Sequence, residues 1–321
     1  MRKLPKLSEK YVDPRPAPAG VGYMDGQYLP MNEVRLPILD NGLLHSDATY
    51  DVVHVWKGAF FRLDDHLDRF FAGMKNLRLE IPYTRDEVKE ILHNCVALSG
   101  LREAYVEFIC TRGLSKALSR DPRDCENRFI VFVIPFVSVA NTEQLDRGMH
   151  LAITDFVRIP PSSVNPTVKN YHWLDLINGL FEAYDRGAEN ALLLDLNGHV
   201  SEGPGFNIFL VKNGEISTPK TGVLLGVTRQ TIIDICSNMQ IGCHVRDIAP
   251  EELLGADEVF VTSTAGGVMP VSKINGKQIG SGSVGAFTKK ISLRYWRMHQ
   301  WDDVRSEVDY LQAAQFSSSD N

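Results

Sequence analysis

The sequence predicts an α+β fold with two domains, and three observations carry this prediction. Its 321 residues are enough for about two domains. Strand-like runs are joined by tight-turn pairs such as Asn213-Gly214, which are typical of antiparallel hairpins. Helical patterns stand apart from these runs, without the regular alternation of strand and helix that a doubly wound sheet requires.

The first part of the chain predicts an extended arm followed by a small α/β domain. The arm covers residues 1–20, where three spaced prolines favour an extended backbone. The domain covers residues 21–139. Its first strand-like runs alternate with three turn pairs, Asp25-Gly26, Asn41-Gly42 and Lys57-Gly58.

Two helices and two strands complete this first domain. Apolar residues at three- and four-residue spacing predict a helix over 63–79. Thr84, with Glu87 three positions later, forms a capping-box pattern that predicts a second helix, and this helix ends at Gly100. The apolar runs AYVEFICTRG and RFIVFVIPFV then predict two long strands.

The second part of the chain predicts a larger, strand-rich domain. A polar stretch over 140–148 is predicted as an interdomain linker, residues 149–310 as the domain, and residues 311–321 as a frayed tail. A further hairpin turn is predicted at Asn197-Gly198. Three helices are predicted in the domain, over 174–186, over 228–241 with Thr228 as N-cap, and over 284–299.

The composition limits the classes of function. With 34 basic and 40 acidic residues the net charge is −6, which gives no electrostatic reason to bind nucleic acid or anionic lipid. Five cysteines without a Cys-x-x-Cys pair support neither a disulfide framework nor a zinc site, and no other metal site is predicted. No apolar run reaches the roughly 18 residues of a membrane span. We therefore expect a cytoplasmic protein.

Four short segments carry residue types that could act together in catalysis. Lys169 follows a proline-containing loop; a solvated lysine is the commoner case, but a partly desolvated one can form a Schiff base. Glu202 lies at a strand end beside two glycines, where a carboxylate could hold the protonated ring nitrogen of a flat ligand. The helix start at 226–228 and the turn at 263–267 offer backbone N–H groups and hydroxyl groups to a phosphate.

These segments contain T-V-K-N, S-E-G-P-G-F-N, G-V-T-R and T-A-G-G, in this order along the chain. Together they resemble the fold-type IV pyridoxal 5′-phosphate (PLP) enzymes over residues 23–295. That group contains branched-chain and D-amino acid aminotransferases, (R)-selective amine transaminases and aminodeoxychorismate lyases. The resemblance implies a small N-terminal α/β domain, a larger C-terminal pseudo-barrel domain, and PLP between them.

The resemblance also implies the roles of individual residues. Lys169 matches the Schiff-base lysine that moves the proton, and Glu202 matches the partner of the pyridine nitrogen. Arg69 matches a phosphate-binding arginine, and Leu225 matches the residue that lies against the cofactor ring. The remaining phosphate contacts match three further residues, Val227, Thr228 and Thr264.

Within this group, the segments around His45 and Glu107 resemble the (R)-selective amine transaminases most closely. Glu107 stands where an arginine would aid carboxylate binding in the branched-chain type, so amine donors without a carboxylate are expected, with a keto acid such as pyruvate as acceptor. Arg120, on the loop over 115–127, is expected to swing in and bind the carboxylate of the keto acid. Five residues are expected to form the pocket walls, His45, Tyr50, Val52, Tyr105 and Trp173.

Other functions stay open at this point. A D-amino acid or branched-chain amino acid aminotransferase would share every cofactor residue, and a lyase of the aminodeoxychorismate type would release pyruvate without an acceptor. A non-catalytic binding protein would require the loss of a cofactor residue, whereas Lys169, Glu202 and Arg69 are all present. The resemblance further implies a homodimer with the active site at the subunit interface.

Overall fold

The computed structural model describes residues 15–311, and within them the strands and helices form separate layers. The fifteen strands are β1 (Val21–Met24), β2 (Gln27–Pro30), β3 (Ala48–Trp56), β4 (Ala59–Phe61), β5 (Ala104–Ser115), β6 (Cys125–Pro135), β7 (Met149–Val157), β8 (Asn190–Leu194), β9 (Asn207–Lys212), β10 (Glu215–Pro219), β11 (Cys243–Arg246), β12 (Glu258–Ser263), β13 (Gly267–Ile274), β14 (Lys277–Gln278) and β15 (Arg305–Glu307). The eight helices are α1 (Asn41–Leu44), α2 (Leu63–Leu77), α3 (Arg85–Ser99), α4 (Thr142–Arg147), α5 (Leu174–Asp185), α6 (Val227–Asn238), α7 (Pro250–Leu254) and α8 (Ala286–Met298).

The first sheet has seven strands in the order β15-β4-β3-β5-β6-β1-β2, and all neighbouring strands are antiparallel. Helices α2 and α3 cover one face of it with apolar side chains, because apolar residues recur on both helices at helical spacing. Side chains alternate along β3: Val53 and Val55 join this core, whereas Tyr50 and Val52 line a cavity on the other side.

The second sheet follows the path β11-β10-β9-β12-β13-β7-β8, with β14 paired to β13. Its β10–β11, β13–β7 and β7–β8 pairs are parallel, and its other pairs are antiparallel. Helix α5 packs against β7 and β8, while α6 and α8 pack near β12. Two sheets with helices outside them, rather than regular strand–helix alternation, confirm the predicted α+β class.

The helix-end signals in the first domain are confirmed. Helices α2 and α3 lie within the ranges predicted for them. The Thr84 hydroxyl accepts a hydrogen bond from the backbone N–H of Glu87, and the Glu87 carboxylate accepts one from the backbone N–H of Thr84 at 2.7 Å. Gly100 closes the helix with φ of +69°, a left-handed conformation in which a side chain would be unfavourable.

Three segments differ from the prediction. Asn41-Gly42 is the start of α1 rather than a hairpin turn, because the Asp40 side chain accepts a hydrogen bond from Gly42 N at 2.8 Å and caps the helix. The segment predicted as a linker contains α4, which begins with a capping box. Strand β15 pairs with β4 in the first sheet, although its residues fall in the range predicted for the second domain.

Most of the predicted arm (1–20) and tail (311–321) lies outside the described residues. The domain limits themselves stay a prediction. No helix between residues 15 and 311 has the length and apolar character needed to cross a membrane.

Candidate active site

A cavity of about 220 Å³ lies between the two sheets. The first sheet lines it with side chains of β3 and β5, and the second sheet lines it with the ends of β9 and β12. Loops before α5, after β8 and before α6 complete its walls. Ten residues predicted from the sequence meet here: Tyr50, Val52, Arg69, Tyr105, Lys169, Trp173, Glu202, Val227, Thr228 and Thr264.

Lys169 lies in the loop between β7 and α5, and its backbone fixes it against β3. Its carbonyl oxygen accepts hydrogen bonds from Tyr50 N at 3.0 Å and from Thr49 Oγ1 at 2.9 Å. Its Nζ atom lies 4.5 Å from the centre of the Tyr50 ring. Desolvation by the surrounding protein, followed by the positive charge of Arg69, lowers the pKa of Lys169 to about 8. More of the amine is therefore neutral near pH 7 than in a free lysine, which favours attack on a carbonyl carbon.

Glu202 is buried at the cavity, and its carboxylate is held from two sides. Oε1 accepts a hydrogen bond from Arg158 Nε at 3.1 Å, and Oε2 accepts one from Leu224 N at 2.9 Å. Burial raises the pKa of Glu202, and the positive charge of Arg158 opposes the rise. Arg158 also binds Asp175 Oδ2 through Nη1 at 2.6 Å. A carboxylate fixed in this way can stabilise a positive charge on the ring nitrogen of a ligand.

Arg69 and His66 lie one helical turn apart on α2, and both bind Asp51 of β3. Nε and Nη2 of Arg69 each donate to a carboxylate oxygen of Asp51 at 2.7 Å, and His66 Nδ1 lies 2.7 Å from Oδ1. Burial raises the pKa of Asp51, but Arg69 and His66 outweigh it and hold the pKa well below its ordinary value of 3.8. Arg69 Nη1 donates to the carbonyl oxygen of Leu225 at 3.1 Å. The guanidinium is thus fixed beside the start of α6, where it can bind a phosphate.

The start of α6 offers backbone donors to the same phosphate. The N-cap is Gly226 and no side chain caps the helix, so the predicted N-cap role of Thr228 is wrong. A Cβ atom on Gly226 would lie 2.3 Å from Asn207 Oδ1, so this close approach requires glycine at the cap. The first N–H groups of α6 therefore have no side-chain cap and are available to an anion. Thr264, in the turn between β12 and β13, lines the same cavity.

The substrate side of the cavity has an apolar wall with a carboxylate behind it. Glu107 lies across from Val52 in the β3–β5 pair but does not line the cavity. Its oxygens accept hydrogen bonds from Tyr171 Oη at 2.6 Å and from Tyr105 Oη at 3.0 Å. The Tyr171 ring stacks on Tyr50 with a centroid distance of 4.3 Å and an interplanar angle of 9°.

Three predicted site residues lie outside this cavity. His45 is exposed after α1, with its Nδ1 2.7 Å from Asn41 Oδ1. Arg120 is exposed on a loop whose serine and aspartate side chains bind one another, so the loop folds on itself. Leu225 turns outward and lines a neighbouring cavity, because hydrogen bonds to Glu202 and Asn207 hold Leu224 inward.

Sequence reasoning missed several partners of the site residues. Asp51 had a usable signal, since it is an acidic residue in the otherwise apolar run VVHV and its flank. Arg158 and Tyr171 had none, because the carboxylates they bind lie 44 and 64 residues away along the chain.

Comparisons with known proteins agree on one family. The family model for class IV aminotransferases matches residues 48–274. The chain is 31% identical over 276 residues to a Methanocaldococcus jannaschii protein named provisionally as a branched-chain-amino-acid aminotransferase, which covers 85% of this chain and 94% of that protein. It is 29% identical over 283 residues to the branched-chain-amino-acid aminotransferase of Pseudomonas aeruginosa, covering 86% and 92%.

Two solved structures match nearly the whole chain. The branched-chain aminotransferase of Thermoproteus uzoniensis with norvaline has a TM-score of 0.83 and 27% identity, and the match covers 90% of this chain and 99% of that chain. A branched-chain amino acid aminotransferase with pyridoxamine 5′-phosphate, from the source abbreviated T.th., has a TM-score of 0.85 and 28% identity, with 91% and 99% covered.

The residues at the cavity fit PLP. Lys169 supplies an amine with a lowered pKa, and Glu202 supplies a fixed, buried carboxylate. Arg69 and the uncapped start of α6 supply donors for a phosphate. With this site and these relatives, the chain belongs to the class IV aminotransferases and is a PLP-dependent aminotransferase.

Proposed function

We propose that this aminotransferase takes the amino group from hydrophobic primary amines that lack a carboxylate, and passes it to a keto acid such as pyruvate. The observation that carries the proposal is the arrangement around Glu107. The hydroxyl groups of Tyr171 and Tyr105 both donate to this carboxylate. They are therefore directed at Glu107 and are not free to bind a substrate carboxylate. The (R) selectivity included in the proposal rests on the sequence resemblance.

The charges around the cavity support the same donor class. Burial raises the pKa of Glu107, and the hydrogen bonds from the two tyrosines counter that rise. An ionised Glu107 behind the wall would repel a carboxylate. Arg69 and Arg158 line the cavity, but each already binds a carboxylate, Asp51 and Glu202 respectively.

The residues of the cavity divide the work of the reaction. PLP, when bound, supplies an electron sink for the carbanion that forms at the amine-bearing carbon. Lys169 Nζ removes and returns the proton at that carbon, and its lowered pKa suits this exchange near neutral pH. Glu202 would hold the pyridine nitrogen in its protonated form. Four residues would anchor the phosphate, Arg69, Val227, Thr228 and Thr264.

A branched-chain amino acid aminotransferase is the second candidate. The comparisons favour it over the amine transaminase, because the relatives and the solved structures reported above all carry that name. It would use the same Lys169 and Glu202, and would differ in how the α-carboxylate of the donor is bound.

The implied homodimer is part of the same proposal. Four apolar side chains near the exposed His45 lie on the surface, with 51% to 72% of their area exposed: Ile38, Leu39, Leu43 and Leu44. Clustered apolar surface of this kind is typical of protein–protein contacts. Light scattering of the purified protein at several concentrations measures whether the dimer forms.

A panel of amino donors tests the proposed function. The PLP-loaded protein is mixed with (R)-1-phenylethylamine, its (S) enantiomer, L-leucine or D-alanine, and the absorbance of the bound cofactor is followed through one half-reaction. We expect the (R)-amine to react at least about tenfold faster than the others, which corresponds to about 1.4 kcal/mol. Faster reaction with L-leucine would overturn the proposal in favour of the branched-chain activity.

Substituting Glu107 tests the observation that carries the proposal. Two like charges about 8 Å apart interact with roughly 2 kcal/mol at an effective dielectric constant of about 20. We therefore expect Glu107→Gln to raise kcat/KM for L-leucine about tenfold and to change that for (R)-1-phenylethylamine less than about threefold. The matched control is Glu126→Gln, which removes an exposed carboxylate of β6 and should leave both values unchanged. An unaltered donor preference in Glu107→Gln would contradict the charge argument.

A further inference from the structure

His54 and His299 form a buried pair beside the cofactor cavity. His54 lies on β3 and His299 directly follows α8, and only 2% and 6% of their surfaces are exposed. Their Nε2 atoms are 2.7 Å apart. The rings of Phe61 and Trp296 lie against His299 with centroid distances of 3.8 and 4.8 Å. The pair is thus enclosed by aromatic side chains.

The other ring nitrogens each meet a backbone carbonyl oxygen. His54 Nδ1 lies 3.0 Å from the carbonyl oxygen of Thr264, and His299 Nδ1 lies 3.0 Å from that of Tyr295. Thr264 lines the cofactor cavity, in the turn between β12 and β13. A chain of three contacts therefore connects this turn of the second sheet to β3 of the first sheet and to α8.

The number of protons available to these contacts restricts the tautomers. A carbonyl oxygen only accepts, so each of the three contacts needs one ring N–H. Two neutral imidazoles carry two N–H groups in total. Burial, then His299 and His66, lower the pKa of His54, and burial lowers the pKa of His299 to about 4. The pair is therefore neutral near pH 7, and one of the three contacts has no proton.

Two arrangements avoid placing two nitrogen lone pairs against each other at 2.7 Å. In one, His54 donates to Thr264 and receives a hydrogen bond from His299 Nε2. In the other, His54 donates to His299, which donates to Tyr295, and the Thr264 carbonyl loses its donor. Tyr295 lies in the last turn of α8, where a helix carbonyl can be satisfied by the tighter bonds of a helix end. For the Thr264 carbonyl, the structure provides the His54 ring as donor.

We propose that His54 is a positioning residue of the cofactor site, which holds the Thr264 turn by its carbonyl group in a tautomer that His299 selects. His54 carries its proton on Nδ1 and His299 carries its proton on Nε2. Neither histidine touches the reacting atoms. This role does not depend on the choice of amino donor, because the turn contacts the part of the cavity assigned to the cofactor.

The first test reads the tautomers directly. In protein labelled with ¹⁵N on histidine, long-range ¹H–¹⁵N spectra at pH 7 distinguish a protonated Nδ1 from a protonated Nε2. We expect His54 protonated at Nδ1 and His299 at Nε2. His54 protonated at Nε2 would overturn the proposal, whatever the variants do.

The second test uses two variants of His299 and pyridoxamine 5′-phosphate, with the dissociation constant measured by titration calorimetry. His299→Gln keeps an N–H that can donate to His54 Nε2, so we expect binding within about twofold of the native protein and His54 still protonated at Nδ1. His299→Phe keeps an aromatic ring but no donor, so the Thr264 contact competes with an unsatisfied His54 and binding should weaken about fivefold.

A matched control separates this effect from general disturbance of the fold. His93 is another half-buried histidine, on α3, and its Nε2 lies 3.0 Å from Ser306 Oγ, away from the cavity. His93→Phe should leave pyridoxamine 5′-phosphate binding unchanged. Equal binding by His299→Phe and His299→Gln, both shown to be folded by circular dichroism, would overturn the proposal.

Discussion

Replacing Lys169 with alanine is expected to abolish amino transfer, with a loss of turnover of about 10⁴-fold or more. The amine of Lys169 is the group in the cavity with a pKa lowered to about 8, so it can both attack a carbonyl carbon and exchange a proton near neutral pH. The variant should also fail to hold PLP covalently. Loss of the bound-cofactor absorbance and mass spectrometry after borohydride reduction measure this directly.

The control for Lys169 is a lysine of the same domain without a role in the cavity. Lys212 lies at the end of β9, is half exposed and forms an ion pair with Asp257. Lys212→Ala should keep full turnover and the reducible link to PLP. Turnover in Lys169→Ala at more than about one hundredth of the native rate would contradict the assignment of Lys169 as the proton-transfer base.

Replacing Arg69 with alanine is expected to destabilise the fold by about 3 kcal/mol as well as to weaken cofactor binding. Asp51 has no exposed surface, and Arg69 supplies two of its charge-assisted hydrogen bonds. Without Arg69, a buried carboxylate would keep only His66 as its charged partner. Urea unfolding of the cofactor-free protein measures the stability, and pyridoxamine 5′-phosphate titration measures the affinity.

The pH dependence of this loss has a definite sign. The folded protein lowers the pKa of Asp51 below 3.8, so the ion pair stabilises the fold fully above that value and the contribution is lost as the pH falls below it. The difference between native and Arg69→Ala proteins should therefore shrink in acid. Arg85→Ala, which breaks more exposed ion pairs of α3 with α2, should cost less than about 1 kcal/mol. Equal losses in the two variants would contradict the buried-pair argument.

Local signals made much of the secondary structure predictable. The ends of α3 follow from Thr84, Glu87 and Gly100, because a capping box and a left-handed glycine act within a few residues of the helix end. The same reasoning failed at Thr228. There the cap is set by Asn207, which approaches Gly226 from a different strand and leaves no local mark in the sequence.

The cofactor site was more predictable than the groups that support it. Lys169, Glu202 and Arg69 stand in motifs that resemble a known family, and all three line one cavity. The pair of His54 and His299 joins residues 245 positions apart, and its geometry depends on the packing of both sheets. No sequence pattern of one chain carries that information, because neither histidine has an unusual local context.

Strand β15 has a consequence for the order in which the protein is made. Its residues Arg305–Glu307 close the β4 edge of the first sheet, next to backbone hydrogen bonds from Arg62 to Val304 and from Val308 to Gly58. All strands of the second sheet precede it in the chain. During synthesis from the N-terminus, the ribosome therefore releases every strand of the second sheet before the first sheet can be completed. The β4 edge stays open to other chains until translation is nearly finished, which makes it the point where a nascent chain is most exposed to aggregation.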